Sequence, residues 1–337
     1  MHVVDPTRFP LATDAQYTPS PHTLADARAF YARFHWPIEN MVLVQPSIYG
    51  ADNSCMLEAL RELTPRHGRA VVGLDLDLAG ATTTTTTKGK SKSKDKDRYI
   101  DTLYEWHDLG VRGARVNLVS VGRDLSEAEL CAELETYATL LRPLDWVLQL
   151  FIPMRLAVAL ESIVPDLGVR VCIDHFGWPA LPKSEPYDPS TPTDPYALTG
   201  FRSLVNLLKK GQGQGNGNGN GKGQGNDNGS SNGKGNGKGQ TWVKLSAPYR
   251  LARDPDMRDL DPIGRELVFQ APDRIVYATD WPHTRFDNVD PVPFVEKCFE
   301  WCGGDPVLIE KLFRTNAEQL WDIPGRKVTK SPQIETT

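Results

Sequence analysis

Aspartate and histidine side chains sit where apolar runs of this chain stop. Residues 275–278, Ile-Val-Tyr-Ala, have the length and branching of a buried strand and run on to Asp280, Trp281, Pro282 and His283. Residues 169–173 end likewise on Asp174 and His175, and His2 opens the first apolar run, 2–5. Burying a carboxylate costs free energy unless it is partnered or placed to react. An aspartate beside imidazoles can take a proton from water while the rings polarise the bond that the water attacks. Plainer readings stand beside this one: Asp280 as a turn aspartate before a proline, and each histidine as a hydrogen-bonded core residue.

Such groups react together only if the chain gathers the ends of distant runs. Short runs rich in Val, Leu and Ile predict eight strands, at 2–5, 41–45, 70–76, 113–118, 146–151, 169–173, 242–245 and 275–278. Their unbroken apolar character fits parallel strands buried on both faces. Helical patterns fall between them, at 23–34, 54–63, 99–109, 126–141, 154–163, 196–208 and 262–269, and two more follow at 292–301 and 306–320. Ser126 with Glu129 makes a capping box. The alternation predicts an α/β fold, a (β/α)8 TIM barrel. A doubly wound sheet is the alternative, but no Gly-x-Gly-x-x-Gly follows the first strand. In a barrel the carboxyl ends of the strands share one mouth. His2, Gln45, Ser47, Asp75, Asp77, Arg115, Asn117 and Gln149 would meet there with Asp174, His175, Lys244, Ser246, Tyr249, Arg250, Asp280 and His283.

Two tracts stand apart. Residues 82–98 are threonines followed by lysine alternating with small or acidic residues, and 211–240 are almost wholly Gly, Asn, Gln, Lys and Ser. Neither can bury apolar surface. Both are expected to be disordered insertions in one domain spanning 1–325, with a disordered tail at 326–337. A net charge of −5 disfavours nucleic acid or an anionic membrane as the main partner, and no apolar stretch approaches a membrane span. A small-molecule substrate is the expected partner. Five scattered cysteines, an odd number, suit reduced thiols in a cytoplasmic protein.

The motifs HVVDPTRFP (2–10), YGADNSCMLEAL (49–60), GVRGARVNL (110–118), IDHFGWP (173–179), WVKLSAPYRL (242–251) and ATDWPHT (278–284) resemble, in order, those of the amidohydrolase-related (amidohydrolase 2) barrel hydrolases. The resemblance is nearest to the branch of 2-pyrone-4,6-dicarboxylate lactonase-like and sugar-lactone hydrolases. It implies hydrolysis of a cyclic ester, with Asp280 as general base, His175 and His2 polarising the carbonyl, and His283 positioning the aspartate or the water. Arg115 and Arg250 would grip substrate carboxylates, since a guanidinium matches a carboxylate bidentately. Ser47, Tyr49 and Asn53 lie on a loop where similar enzymes contact substrate, and Gln149 joins the substrate-binding set.

The family's first strand carries His-x-His. His2 matches its second histidine, so the natural chain is expected to begin further upstream. Metal-dependent relatives bind zinc, and His2, His175 and Asp280 are the matching ligands here. Gln149 stands where a further histidine ligand would, and Arg115 is a cation beside the site. The reading taken is metal-free, with no cofactor, and zinc is the alternative. Trp178 replaces an arginine of the dicarboxylate lactonases, so a less acidic lactone is equally compatible. A zinc-dependent decarboxylase or amide hydrolase, and an inactive paralogue, are the competing functions.

Overall fold

The computed structural model describes residues 1–34, 38–79, 91–182, 187–210 and 239–324. Seven strands form one parallel sheet: β1 (Met41–Val44), β2 (Gly68–Val72), β3 (Val111–Asn117), β4 (Val147–Phe151), β5 (Val171–Ile173), β6 (Thr241–Leu245) and β7 (Ile275–Tyr277). Each pairs with its neighbour in sequence, with Arg115 opposite Gln149 and Cys172 opposite Trp242. A doubly wound sheet reverses its strand order part-way; this one never does. The helices are α1 (Leu24–Tyr31), α2 (Ser54–His67), α3 (Ser91–Leu109), α4 (Glu127–Leu141), α5 (Ala157–Leu167), α6 (Phe201–Lys209), α7 (Pro248–Leu251), α8 (Asp261–Gln270), α9 (Val292–Trp301), α10 (Pro306–Glu310) and α11 (Asn316–Leu320).

Local chemistry sets several boundaries. Ser126 and Glu129 form the expected capping box of α4, and Thr23 and Asp26 form another at α1. In α2, Thr64 leaves helical geometry immediately before Pro65, because proline disfavours the helical conformation of the residue it follows. Two expectations change. Run 2–5 is not a strand of the sheet: Val4 bridges His22 in antiparallel fashion, and Asp5 begins a turn that accepts from Thr7 and Arg8. The first two residues hydrogen-bond to the sheet region. The Met1 amino group donates to the Val42 carbonyl, Val44 donates to Met1, and His2 donates to the Trp281 carbonyl, so this end lies between β1 and the segment after β7. Within the tract 82–98, residues from Ser91 onward belong to α3, as suits a lysine- and serine-rich stretch free of glycine and proline. Residues 82–90, 211–238 and 326–337 lie outside the described residues.

The two-residue side-chain period of a strand explains how the sheet positions polar groups. Leu148, Leu150, Val171, Ile173, Val243 and Leu245 pack in the main core, which also contains apolar faces of the helices. The alternate residues face the other way. Their first set, Val147, Cys172, Trp242 and Val276, packs with Leu320 and Trp321 of the C-terminal segment. Gly113 of β3 has no room for a side chain there: a Cβ would lie 2.7 Å from the Val147 carbonyl oxygen and 3.2 Å from Trp321. One step along each strand the same face carries Arg115, Gln149, Asp174 and Lys244. A further step reaches Phe151, Ser246 and, beyond β7, Asp280. An apolar plug, a charged floor and a cavity therefore follow from one alternation.

Candidate active site

The floor is a closed network. Asp174 is buried and accepts from Arg115 Nη2 at 3.0 Å and Nε at 3.2 Å, from Gln149 Nε2 at 2.9 Å, and from Lys244 Nζ at 3.1 Å. Burial disfavours its anion, but Lys244 and Arg115 outweigh burial and hold the carboxyl well below the usual range. Arg115 also donates to the Gln45 carbonyl. Gln149 has its Oε1 buried without a partner among the described residues. A chamber of about 20 Å3 lies here, lined by Gln149, Asp174, Lys244, His2, His175 and Asp280 among others. A single water needs about that volume.

Above the floor, Asp280 has its two oxygens in different surroundings. Oδ2 accepts from the Tyr249 hydroxyl at 2.6 Å and from Arg250 Nε at 3.1 Å. Oδ1 faces His2 Nε2 at 3.8 Å. Burial opposes the Asp280 anion, yet His175, His2, Arg250 and the Tyr249 hydroxyl together keep its carboxyl far below the ordinary value. Burial lowers His2 to about 3, so its ring is neutral near pH 7. The His2 Nδ1 lies 2.7 Å from the Val44 carbonyl oxygen, which only accepts, so the ring proton sits on Nδ1 and Nε2 presents a lone pair. His175 is likewise depressed by burial, and its Nδ1 meets Ser246 Oγ at 2.8 Å.

These groups open into a cavity of about 400 Å3 whose walls include His2, Ser47, Arg115, His175, Trp178, Arg250 and Asp280. Of the residues expected from sequence, Ser47, Arg115 and Arg250 therefore reach it, but both arginines are already paired with carboxylates. Three others are occupied elsewhere. Tyr49 is buried and its hydroxyl accepts from the Asp5 backbone. Asn53 clamps its loop by donating to the Ala51 and Gly73 carbonyls and accepting from the Gly73 amide. Gln149 lies in the floor rather than the cavity wall. His283 packs edge-on against Phe30 and Tyr249, outside this cavity's lining. It hydrogen-bonds the Thr279 backbone, burial lowers it to about 4, and its Nε2 is buried without a partner among the described residues.

Residues 1–213 and 237–323 match the family model described as amidohydrolase. The chain belongs to the amidohydrolase family. This amidohydrolase is 24% identical over 301 residues to a 2-pyrone-4,6-dicarboxylate hydrolase of Comamonas testosteroni, covering 86% of this chain and 77% of that one. It is 24% identical over 295 residues to a 4-sulfomuconolactone hydrolase of Hydrogenophaga intermedia, covering 87% and 76%. A solved structure of a putative 2-pyrone-4,6-dicarboxylic acid hydrolase from Pseudomonas putida superposes with a TM-score of 0.64 at 25% identity, covering 96% of each chain.

The site residues of this amidohydrolase that went unassigned in the sequence fall into two groups. Asp174, Lys244, Ser246 and Tyr249 stand at strand ends, and only three-dimensional pairing separates the floor from the wall. Tyr17, Ser120, Thr284, Arg285 and Phe286 also line the cavity. They come from loops, where no periodicity marks an inward side chain. The resemblance also offers His2, His175 and Asp280 as zinc ligands. Among the described residues, no three His, Cys, Asp or Glu side chains are grouped to hold a metal ion. Asp280 Oδ2 is taken by Tyr249 and Arg250, which leaves Oδ1 and His2 Nε2 as the donor atoms that face one another.

Proposed function

We propose that this amidohydrolase opens a small lactone by adding water across its cyclic ester bond, the class of reaction its lactone-hydrolysing relatives suggest. The observation that supports it most is the division at Asp280, with one oxygen anchored by Tyr249 and Arg250 and the other facing a bare imidazole nitrogen in the cavity. A water between Asp280 Oδ1 and His2 Nε2 donates to both, which turns its lone pairs toward the substrate. Asp280 takes the proton as the oxygen attacks the carbonyl carbon. His2 acts here as an acceptor that orients water, which revises its expected part in polarising the carbonyl.

His175 supplies that polarisation. Ser246 donates to its Nδ1, the ring proton rests on Nε2, and that N–H meets the oxyanion. The ring C–O bond then breaks, and the leaving oxygen takes the proton from Asp280. One water is consumed and a hydroxy acid or its keto form is released. No step runs through a metal. His283 shapes the turn that carries Asp280, and Gln149, Tyr49 and Asn53 hold the walls rather than the substrate. Met1 and His2 fill the eighth position of a closed barrel, which brings His2 opposite Asp280.

Arg115, Arg250, Arg285 and Lys244 stand against Asp174 and Asp280, so the site carries two net positive charges and favours an anionic lactone. A panel of neutral and carboxylated lactones in a pH-stat tests the reading. Acid release with at least one of them is expected, and none with any would overturn it.

A further inference from the structure

Three guanidinium groups line the catalytic cavity, and they are not equivalent. Arg115 is bound to Asp174 and Arg250 to Asp280. Arg285 has neither a hydrogen bond nor an ion pair among the described residues; it lies over the Tyr17 ring, 4.8 Å from its centroid. A paired arginine can take a substrate carboxylate only by sharing its charge with the protein's own. Arg285 has its charge and its planar fork available.

The group is exposed, but its neighbours hold it in place. Thr284 receives Arg250 Nη2 at its carbonyl oxygen (2.8 Å) and at its hydroxyl (3.1 Å). Phe286 packs against Tyr249, with ring centroids 4.8 Å apart, and under the Arg250 guanidinium. The same two residues, Tyr249 and Arg250, hold Asp280. Arg285 therefore projects from a segment fixed to the general base, with a backbone φ of 69°, a left-handed conformation that costs a non-glycine residue free energy. Tyr17 and Arg285 also line a larger neighbouring cavity of about 840 Å3, so the pair stands where the catalytic cavity meets it.

We propose that Arg285, stacked on Tyr17, is an anion subsite that takes a carboxylate of the lactone remote from the ester bond being cleaved. The guanidinium binds the carboxylate in its plane while the phenol ring covers its face, an arrangement a lysine cannot reproduce. Arg115 and Arg250 then keep the floor and the base in order. This inference rests on the lactonase reading, deepens it to acidic lactones, and selects the residue that recognises the charge.

The test compares kcat/KM for a neutral lactone and for one of the same ring size bearing a carboxylate, in the wild type, Arg285→Gln and Arg285→Lys. The preference for the acidic lactone should fall about 10- to 100-fold in Arg285→Gln, through KM rather than kcat, with partial recovery in Arg285→Lys. Salt should raise the wild-type KM for the acidic lactone more than that of Arg285→Gln. An unaltered preference in Arg285→Gln overturns the subsite. Should the wild type cleave neither lactone, the lactonase reading fails, and calorimetric titration with glutarate still decides the subsite. Weaker glutarate binding to Arg285→Gln supports it, and equal binding removes it.

Discussion

The two ends of the sheet bury charge in opposite ways. At the amino end, Arg69, Arg112 and Arg170 turn toward the segment that follows α11. Arg170 donates to the Gln319, Leu320 and Asp145 carbonyls and pairs with both oxygens of Asp322. Arg69 donates to the carbonyls of Trp321, Asp322, Gly68 and Pro65. These guanidiniums are bound mostly to backbone, and the result is a clasp under the apolar plug. At the carboxyl end the two buried carboxylates, Asp174 and Asp280, are held by side chains, and some atoms are left over: His2 Nε2, Asp280 Oδ1 and Gln149 Oε1 all border open volume. Charge bound to backbone stabilises a fold, whereas side-chain atoms left facing a cavity can do chemistry.

The sharpest way to break this contrast is Asp280→Asn. It preserves shape and the Tyr249 and Arg250 neighbours but removes the proposed base. Turnover of a cleaved lactone should fall by about 10²–10⁴-fold while thermal unfolding stays cooperative. Near-wild-type turnover would take Asp280 out of the reaction.

Acid should find the carboxyl end first. His2 and His283 are lowered by burial to about 3 and about 4, and His175 is lowered too, against 6.5 in an unfolded chain. Below pH 6.5 the unfolded chain therefore binds protons that the folded one refuses. Stability is complete above that pH and declines as pH falls from 6.5 toward 4, by on the order of 1 kcal/mol per histidine per pH unit. At the amino end His107, whose carbonyl accepts from Arg112, is also lowered by burial, so it adds one ring to the same trend against three at the carboxyl end, and Asp174 and Asp280 stay ionised throughout this window. A melting temperature that is flat from pH 7 to 5 would show that these rings take up protons without resistance.

At the other end, Arg170→Met should cost about 3 kcal/mol of stability, because it strips partners from several carbonyls and from Asp322. Chemical denaturation measures that loss, and kcat of the remaining folded protein should hold. A kcat that falls as steeply as stability would mean that the clasp and the site are not separable.

The sequence made the strands legible because parallel strands buried on both faces leave short, mostly apolar runs, as at 146–151 and 242–245. It made Asp280 and His175 legible because charge at the end of such a run is costly. It could not distinguish Arg115 from Arg285, since an arginine's partner is set by strands far away in sequence. Tyr49 and Asn53 hydrogen-bond to backbone for a related reason: a loop beside a cavity can point its polar groups at its own chain, as Asn53 does toward Gly73. The run 2–5 has the sequence of a whole strand because Val3 and Val4 are apolar. They are buried by packing against the core instead.

Tyr249→Phe makes the smallest change and tests the division at Asp280 directly. It leaves the ring against His283 and Phe286 but removes the hydroxyl that donates to Oδ2. A donor to a carboxylate stabilises the anion, so its loss raises the Asp280 pKa toward the ordinary range. A protonated Asp280 cannot accept a proton from water. The acid limb of the kcat profile should therefore move to higher pH, while kcat at pH 8 drops about tenfold or less because Arg250 still holds the same oxygen. If the limb stays in place, the hydroxyl serves packing alone, and Arg250 is the group that keeps Oδ2 occupied and Oδ1 available.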